Sequence, residues 1–193
     1  MGKKFKPKNM KKLDNPLRRK VLPPEEVINR IGIKEGVDIA DIGCGIGYFT
    51  IPMAKSIAEN NKVYAIDISK EMIDETDRRL EEEEIKNVET ILSNENNFKI
   101  PDNSTDIVFT STVFHELDDP KKFLNESKRI LRDQGRLIIL DWNKVEEEMG
   151  PPIQIRKEVD KVKDSLKQVG IDVEKIDYIG NSFYIIHSSK INK

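Results

Sequence analysis

The chain has 193 residues and a single cysteine, Cys44. One thiol cannot close an internal disulfide, so cysteine usage gives a cytoplasmic location as the expectation. No apolar run approaches the roughly 20 residues that span a bilayer, so no membrane association is expected. The lysine-rich start has no apolar segment behind it, which argues against a secretory signal. There is no internal repeat and no low-complexity stretch. Apolar residues make up only 37% of the chain and charged residues 35%. That balance describes a well-solvated protein, and the length suffices for one domain with a substantial core.

Charge is unevenly placed. Residues 1–20 hold nine lysines and arginines against one acid, Asp14, giving +8. The whole chain is −2, so the remainder is about −10. A basic arm of this kind fits either a solvated tail or a nucleic-acid contact, and the tail is favoured. Phe5, Met10, Leu13, Leu17, Val21 and Leu22 are interleaved with the basic residues. A purely solvated tail has no need of them. Residues 1–34 are therefore read as an N-terminal arm and lid helix, with Leu13–Leu22 packed over a ligand cavity and Met1–Lys8 mobile. Residues 35–193 form the main domain.

The most informative stretch is Ile39-Ala40-Asp41-Ile42-Gly43-Cys44-Gly45-Ile46-Gly47-Tyr48. A short apolar strand enters three alternating glycines, and an apolar helix follows over 48–58. Glycines let the chain turn at positive φ and let a ligand lie against bare backbone. The helix N-terminus beyond them offers free N–H groups. A dinucleotide fingerprint, G-x-G-x-x-G, would need a glycine where Tyr48 stands. A phosphate-binding loop would end in Gly-Lys-Ser/Thr, which is missing. A second apolar strand, Val63–Asp67, ends in an acid about twenty residues on, at the distance that suits a ribose hydroxyl.

The pattern Asp-x-Gly-x-Gly-x-Gly followed by Asp67 resembles class I S-adenosylmethionine (SAM)-dependent methyltransferases. The resemblance continues through Pro101–Val108, Phe114-His115-Glu116-Leu117 and Pro120–Asp141. It is nearest to ubiquinone/menaquinone-biosynthesis C-methyltransferases and arsenite methyltransferases. It implies a Rossmann-like, doubly wound α/β fold whose seven-stranded, mostly parallel sheet ends in an antiparallel C-terminal hairpin. The remaining strands are expected at 88–92, 106–111, 136–141, 173–178 and 182–187. Helices are expected at 24–31, 70–84, 120–131 and 153–169, with residues 1–22 irregular. Ser69 and Asp119 are the expected caps of their helices. The four acids Glu81–Glu84 are read as a solvated helix end, and no metal site is expected.

The same resemblance assigns roles. SAM is the implied cofactor, and a small-molecule methyl acceptor is the expected partner. Gly43, Cys44, Gly45 and Gly47 would underlie the methionine moiety. Asp41 would orient its ammonium group or brace the loop. Asp67 would bind the ribose. Ile68 and Met72 would flank the adenine, although Met72 fits equally as core. Asn94 or Glu95 would accept from the adenine amino group, and Thr112 would complete the pocket. On the acceptor side His115, Glu116 and Asp141 are the acid–base candidates. His115 fits equally as a structural imidazole. Trp142 is a candidate for stacking on a flat substrate, and His187 is read as structural. Arsenic chemistry needs several thiols and is disfavoured. The Asn-Pro-Pro-Tyr/Phe motif of base-directed methyltransferases is replaced by Ser111–Phe114. Two alternatives stand behind the preferred reading: an RNA-directed or purely SAM-binding module using the basic arm, and a nicotinamide-dependent oxidoreductase.

Overall fold

The computed structural model describes residues 7–190. The strands are β1 (Ile39–Ile42), β2 (Val63–Asp67), β3 (Val88–Leu92), β4 (Thr105–Ser111), β5 (Leu131–Trp142), β6 (Ile171–Ile179) and β7 (Phe183–Lys190). The α-helices are α1 (Pro16–Val21), α2 (Pro24–Ile31), α3 (Thr50–Ser56), α4 (Lys70–Glu82), α5 (Pro120–Ile130) and α6 (Val159–Gln168). One seven-stranded sheet runs in the order β3-β2-β1-β4-β5-β7-β6. The pairs from β3 through β5 are parallel, and β7 runs antiparallel to both β5 and β6.

Side-chain alternation divides the strands between two apolar layers. Ala40, Ile42, Val108, Leu137 and Ile139 face one layer, where Phe123 and Leu124 of α5 and Val162 and Leu166 of α6 pack. Ile39, Ile107, Phe109, Ile138 and Leu140 face the other, against Val27, Ile28 and Ile31 of α2 and Met53 and Ala54 of α3. Burial on both faces is what a parallel sheet requires. Helix starts follow local chemistry. Ser69 accepts from the Met72 N–H and Asp119 from the Lys122 N–H. Gly32, at φ 62°, ends α2 in the left-handed region.

Three expectations need correction. The N-terminal segment is helical rather than irregular within the described residues. A 3-10 turn spans Pro7–Lys12, and Asn15 caps α1 by accepting from the Arg18 N–H. The expected mobility of residues 1–6 lies outside the described residues. The last helix starts at Val159 rather than 153. Residues before it wrap around the buried guanidinium of Arg156, which donates to the carbonyls of Asn143, Val145, Met149 and Pro151 and pairs with Glu147 at 2.6 Å. These bonds fasten Arg156 to the preceding loop, residues 143–151, and the chain takes up its helical course only beyond it. The fifth strand begins at Leu131, five residues early. Its register against β4 jumps between Thr105 and Ile107, and Gln134 at φ 66° and Gly135 absorb the extra residues.

The site is positioned by strand order. The chain fills the sheet outward from β1 to β2 and β3, then returns to place β4 on the other side of β1. Loops leaving the carboxyl ends of β1 and β4 therefore diverge and open a crevice.

Candidate active site

A cavity of about 360 Å³ occupies that crevice. This lies within the roughly 300–1,000 Å³ range of small-molecule sites. Of the residues singled out in the sequence, Asp41, Gly43, Cys44, Gly45, Asp67 and Ile68 line it. So do Met72, Asn94, Glu95, Thr112 and Glu116.

Gly43, Gly45 and Gly47 take φ values of 76°, 58° and 77°. These are values that side chains with a Cβ resist. The loop hangs from the neighbouring strand, with the N–H groups of Gly43 and Cys44 both donating to the Ile66 carbonyl. Gly43 also has no room: a Cβ there would meet Val113 Cγ2 at 2.3 Å. Gly47 lies outside the cavity lining and closes the turn, its N–H donating to the Cys44 carbonyl at 3.0 Å.

Two carboxylates sit at the base. Asp41 is almost wholly buried, and the Thr50 hydroxyl donates to it at 2.6 Å. Burial pushes its pKa up to about 7, against the opposing pull of Thr50 and with a further push from the Asp67 charge. Asp67 accepts from the Gly45 N–H through one oxygen and from the Ser69 N–H through the other, each at 2.9 Å. It thus ties the loop after β1 to the loop after β2. Burial raises its pKa, although the backbone donors oppose the shift. Each oxygen keeps a second lone pair for a ligand.

The β3 loop is internally braced. Asn94 accepts from the Asn96 N–H, and Glu95 accepts from the N–H groups of Asp118 and Asp119. Glu95 thereby fastens this loop to the start of α5. Ile68 is about half exposed and Met72 is buried, so Met72 serves the packing as well as the cavity wall. Thr112 holds φ 56° without being glycine. Such strain clusters at ligand sites.

The acceptor-side triad divides. Glu116 lines the cavity, whereas His115 and Asp141 lie buried outside its lining. His115 Nδ1 meets Asp141 Oδ1 at 2.7 Å, and its backbone N–H donates to Asp141 Oδ2. The imidazole therefore closes its loop onto a carboxylate, not onto a backbone carbonyl. His115 Nε2 is 3.6 Å from Glu116 Oε1. Burial opposes the imidazolium, but the Asp141 hydrogen bond and charge outweigh it, so the His115 pKa is raised. Trp142 is no stacking platform. Phe183 packs on its ring at 4.3 Å between centroids, the Arg156 guanidinium lies 5.1 Å from the ring centre, and Gly150 lies against its edge. His187 pairs instead across the hairpin with Asp177, away from the cavity.

Sequence reasoning passed over Thr50, Ser111 and Arg18. Thr50 and Asp41 are nine positions apart on different elements, a spacing with no local signature. The Ser111 hydroxyl lies in the cavity wall, buried and without a partner among the described residues.

Five acids, Asp41, Asp67, Glu71, Glu95 and Glu116, line the cavity, with Arg18 as the one basic residue on its lining among the described residues. An anionic pyrophosphate would face repulsion here, whereas a ligand carrying positive charge would be welcomed. The fold and this electrostatic character describe an α/β domain whose switch-point crevice carries acids suited to a ligand with positive charge.

Comparison with known proteins agrees. The chain matches the model of a methyltransferase domain family over residues 33–185. It is 36% identical to a SAM-dependent methyltransferase from Aquifex aeolicus, with a TM-score of 0.93 over 97% of this chain and 100% of that one. It is 30% identical to a putative type 11 methyltransferase from Sulfolobus solfataricus, with a TM-score of 0.73 over 89% and 93% of the two chains. Among curated sequences it is 27% identical over 117 residues to a demethylmenaquinone methyltransferase from Geobacillus sp. (strain WCH70). That match covers 61% of this chain and spans about half the length of the relative. The chain belongs to the methyltransferase domain family and is a SAM-dependent methyltransferase.

Gly43 and Gly32 separate strain from collision. Both have positive φ, but a Cβ at Gly32 would meet nothing within 4 Å. Gly32→Ala should cost about 1–2 kcal/mol from backbone strain alone. Gly43→Ala should cost about 3 kcal/mol or more, because overpacking against Val113 is added. Urea denaturation of the two variants tests this, and equal losses would contradict the collision.

Proposed function

We propose that the protein transfers a methyl group to a small, largely apolar acceptor held against the loop after β4. The observation that carries this is the apolar part of the lining, where Phe49, Val113, Leu117 and Phe123 share the cavity with Glu116. The name of the demethylmenaquinone relative points to an acceptor of similar kind. SAM, when bound, supplies an already activated methyl group on a sulfonium. The protein's share is to hold both partners in line and keep water out. Backbone of Gly43–Gly45 and the Asp41 carboxylate would hold the amino-acid end, Asp67 the ribose, and Ile68, Met72 and Asn94 the adenine. Glu116 is the residue assigned to take or hold a proton from the acceptor. His115 and Asp141 stand behind it as positioning residues that set its charge. Methyl-labelled SAM incubated with metabolite extracts, followed by fractionation, tests the reading; label confined to macromolecules would overturn it. In calorimetry the protein should bind SAM and S-adenosylhomocysteine but not NAD, and the reverse result would overturn the cofactor assignment as well.

The Asp41 assignment has a pH signature. A ligand ammonium favours the carboxylate, while burial leaves the ligand-free group with a pKa of about 7. Below that pH, binding must release the Asp41 proton. Affinity for S-adenosylhomocysteine should therefore rise with pH up to about 7 and then level off. Asp41→Asn should weaken binding and flatten the profile. A wild-type profile flat between pH 5 and 8 would place Asp41 in loop bracing alone.

The N-terminal segment is assigned as a cover. Leu13 lines the cavity, and a Cβ on Gly45 would touch it at 3.3 Å. Leu22 is wholly buried, and its carbonyl accepts from the Tyr48 hydroxyl. Asp14 bridges Arg19 and Arg79, at 2.6 and 2.7 Å, and so ties the segment to α4. Burial of Leu22 alone contributes about 1.5–3 kcal/mol. A cover of this kind excludes water from the reaction. Deleting residues 1–20 should raise the dissociation rate of S-adenosylhomocysteine in stopped-flow measurements. Unchanged kinetics, together with lost salt-sensitive RNA binding, would assign the segment to nucleic acid instead.

A further inference from the structure

Arg18 stands out from every other basic residue around the site. Asp14, the nearest acid, is already engaged by Arg19 and Arg79. Arg18 makes no ion pair and donates no side-chain hydrogen bond among the described residues, and its Nε is shut off from solvent without a partner. Its guanidinium instead lies over the Tyr48 ring, 4.9 Å from the centroid. Tyr48 is pinned in turn by its hydroxyl bond to the Leu22 carbonyl, so the guanidinium rests on a fixed platform. Together Arg18 and Tyr48 line the cavity beside the glycine loop.

A guanidinium donor held away from water without a partner, as Arg18 Nε is, is costly. Burial lowers the Arg18 pKa, consistent with a charge that lacks compensation. Stacking on an aromatic face offsets part of this, but it leaves the donor edge of the fork open. The other charged residues of the lining are acids, and three of them are engaged elsewhere: Asp41 with Thr50, Asp67 with Gly45 and Ser69, Glu95 with the loop before α5. Planar five-donor geometry matches a carboxylate, which accepts two parallel bonds.

We infer that Arg18 is the anion receptor of the cavity, engaging a carboxylate brought in by a ligand and thereby drawing the N-terminal cover down over the occupied site. This rests on the proposed SAM site and extends it. The carboxylate has two sources, the amino-acid end of the cofactor or an acidic methyl acceptor. In either case the same side chain would sense occupancy and hold the cover, since Arg18 belongs to α1 and its side chain has no ion pair or hydrogen bond among the described residues, only the Tyr48 ring.

Calorimetry on the full chain separates the possibilities. Wild type and Arg18→Met are titrated with S-adenosylhomocysteine, with 5′-methylthioadenosine, which lacks the amino-acid end, and, after saturation with S-adenosylhomocysteine, with benzoate. If the carboxylate belongs to the cofactor, the variant should bind S-adenosylhomocysteine roughly 10- to 100-fold more weakly. Its affinity for 5′-methylthioadenosine should be unchanged, which also certifies that the variant is folded. If the carboxylate belongs to the acceptor, both nucleosides should bind as in wild type while benzoate binding is lost. Arg18→Met binding all three probes as wild type does would overturn the inference. Equal weakening toward both nucleosides would also overturn it, by making Arg18 a packing residue of the cover. Failure of wild type itself to bind either nucleoside would instead overturn the SAM site on which the inference rests.

Discussion

Two neighbouring carboxylates, Asp41 buried and Asp67 partly buried, neither paired with a cation among the described residues, are the constraint on which the ligand end of this molecule depends. Asp67 holds the glycine loop in place through the Gly45 N–H and the next loop through the Ser69 N–H. Asp41 lies beneath the same loop with only the Thr50 hydroxyl for company, and the charge on Asp67 adds to the burial that raises its pKa. Removing charge from water without a counter-ion is expensive, and groups so placed neutralise or await a cation. SAM carries two positive centres. An acidic floor suits a cofactor of that charge better than an anionic dinucleotide, in keeping with Tyr48 standing where the dinucleotide fingerprint has its third glycine.

Topology makes that floor possible. Asp41 is the penultimate residue of β1 and Asp67 the last of β2, and in the parallel pairing Asp41 lies opposite Ala65, so both acids lie near the same carboxyl edge. Crossing to β4 on the other side of β1 opens the crevice above them. The opposite edge is closed by a different device. Arg132, in the irregular start of β5, pairs with Asp38 and Asp106 at 2.7 and 2.5 Å, and Asp106 also accepts from the Asp38 N–H. One end of the sheet has its charges paired and the other leaves them for a ligand. Such asymmetry separates a stability region from a functional one.

The parts of this arrangement legible in the sequence were those governed by local rules. The short apolar runs Ile39–Ile42, broken only by Asp41, and Ile107–Phe109 report strands buried on both faces, and the glycine run reports positive φ. Ser69, Asp119 and Gly32 mark helix ends by their own chemistry. What escaped was decided by contacts distant in sequence. His115 and Glu116 are adjacent residues of one 3-10 turn, yet one is buried against Asp141 and the other reaches the cavity. Linear spacing cannot tell which of two neighbours turns inward. The breaks at Gly150-Pro151-Pro152 and Gly170 bracket 153–169 as a single helix, but Arg156 is fastened to carbonyls of residues 143–151, and the helix starts only at Val159. Trp142 fits a substrate platform by residue type, whereas Phe183, opposite it in the β5–β7 pairing, and Arg156 already occupy its ring.

His115 carries the argument from floor to acceptor. Its raised pKa belongs to a pair in which Asp141 also accepts from the Trp142 N–H, so the carboxylate is fixed by three donors on two elements. A fixed carboxylate orients the imidazole, and the remaining ring nitrogen faces Glu116. A raised folded pKa stabilises the protein below the ordinary histidine value of 6.5 and is lost as pH rises through the folded value. Asp41 behaves alike: neutral when ligand-free, it costs stability as pH climbs from 3.8 toward about 7. Both ends of the cavity are thus less stable without ligand as the solution approaches neutrality. On the proposed assignment, a cationic ligand group beside Asp41 relieves that cost. The electrostatic cost of the empty site is the same quantity that favours its filling.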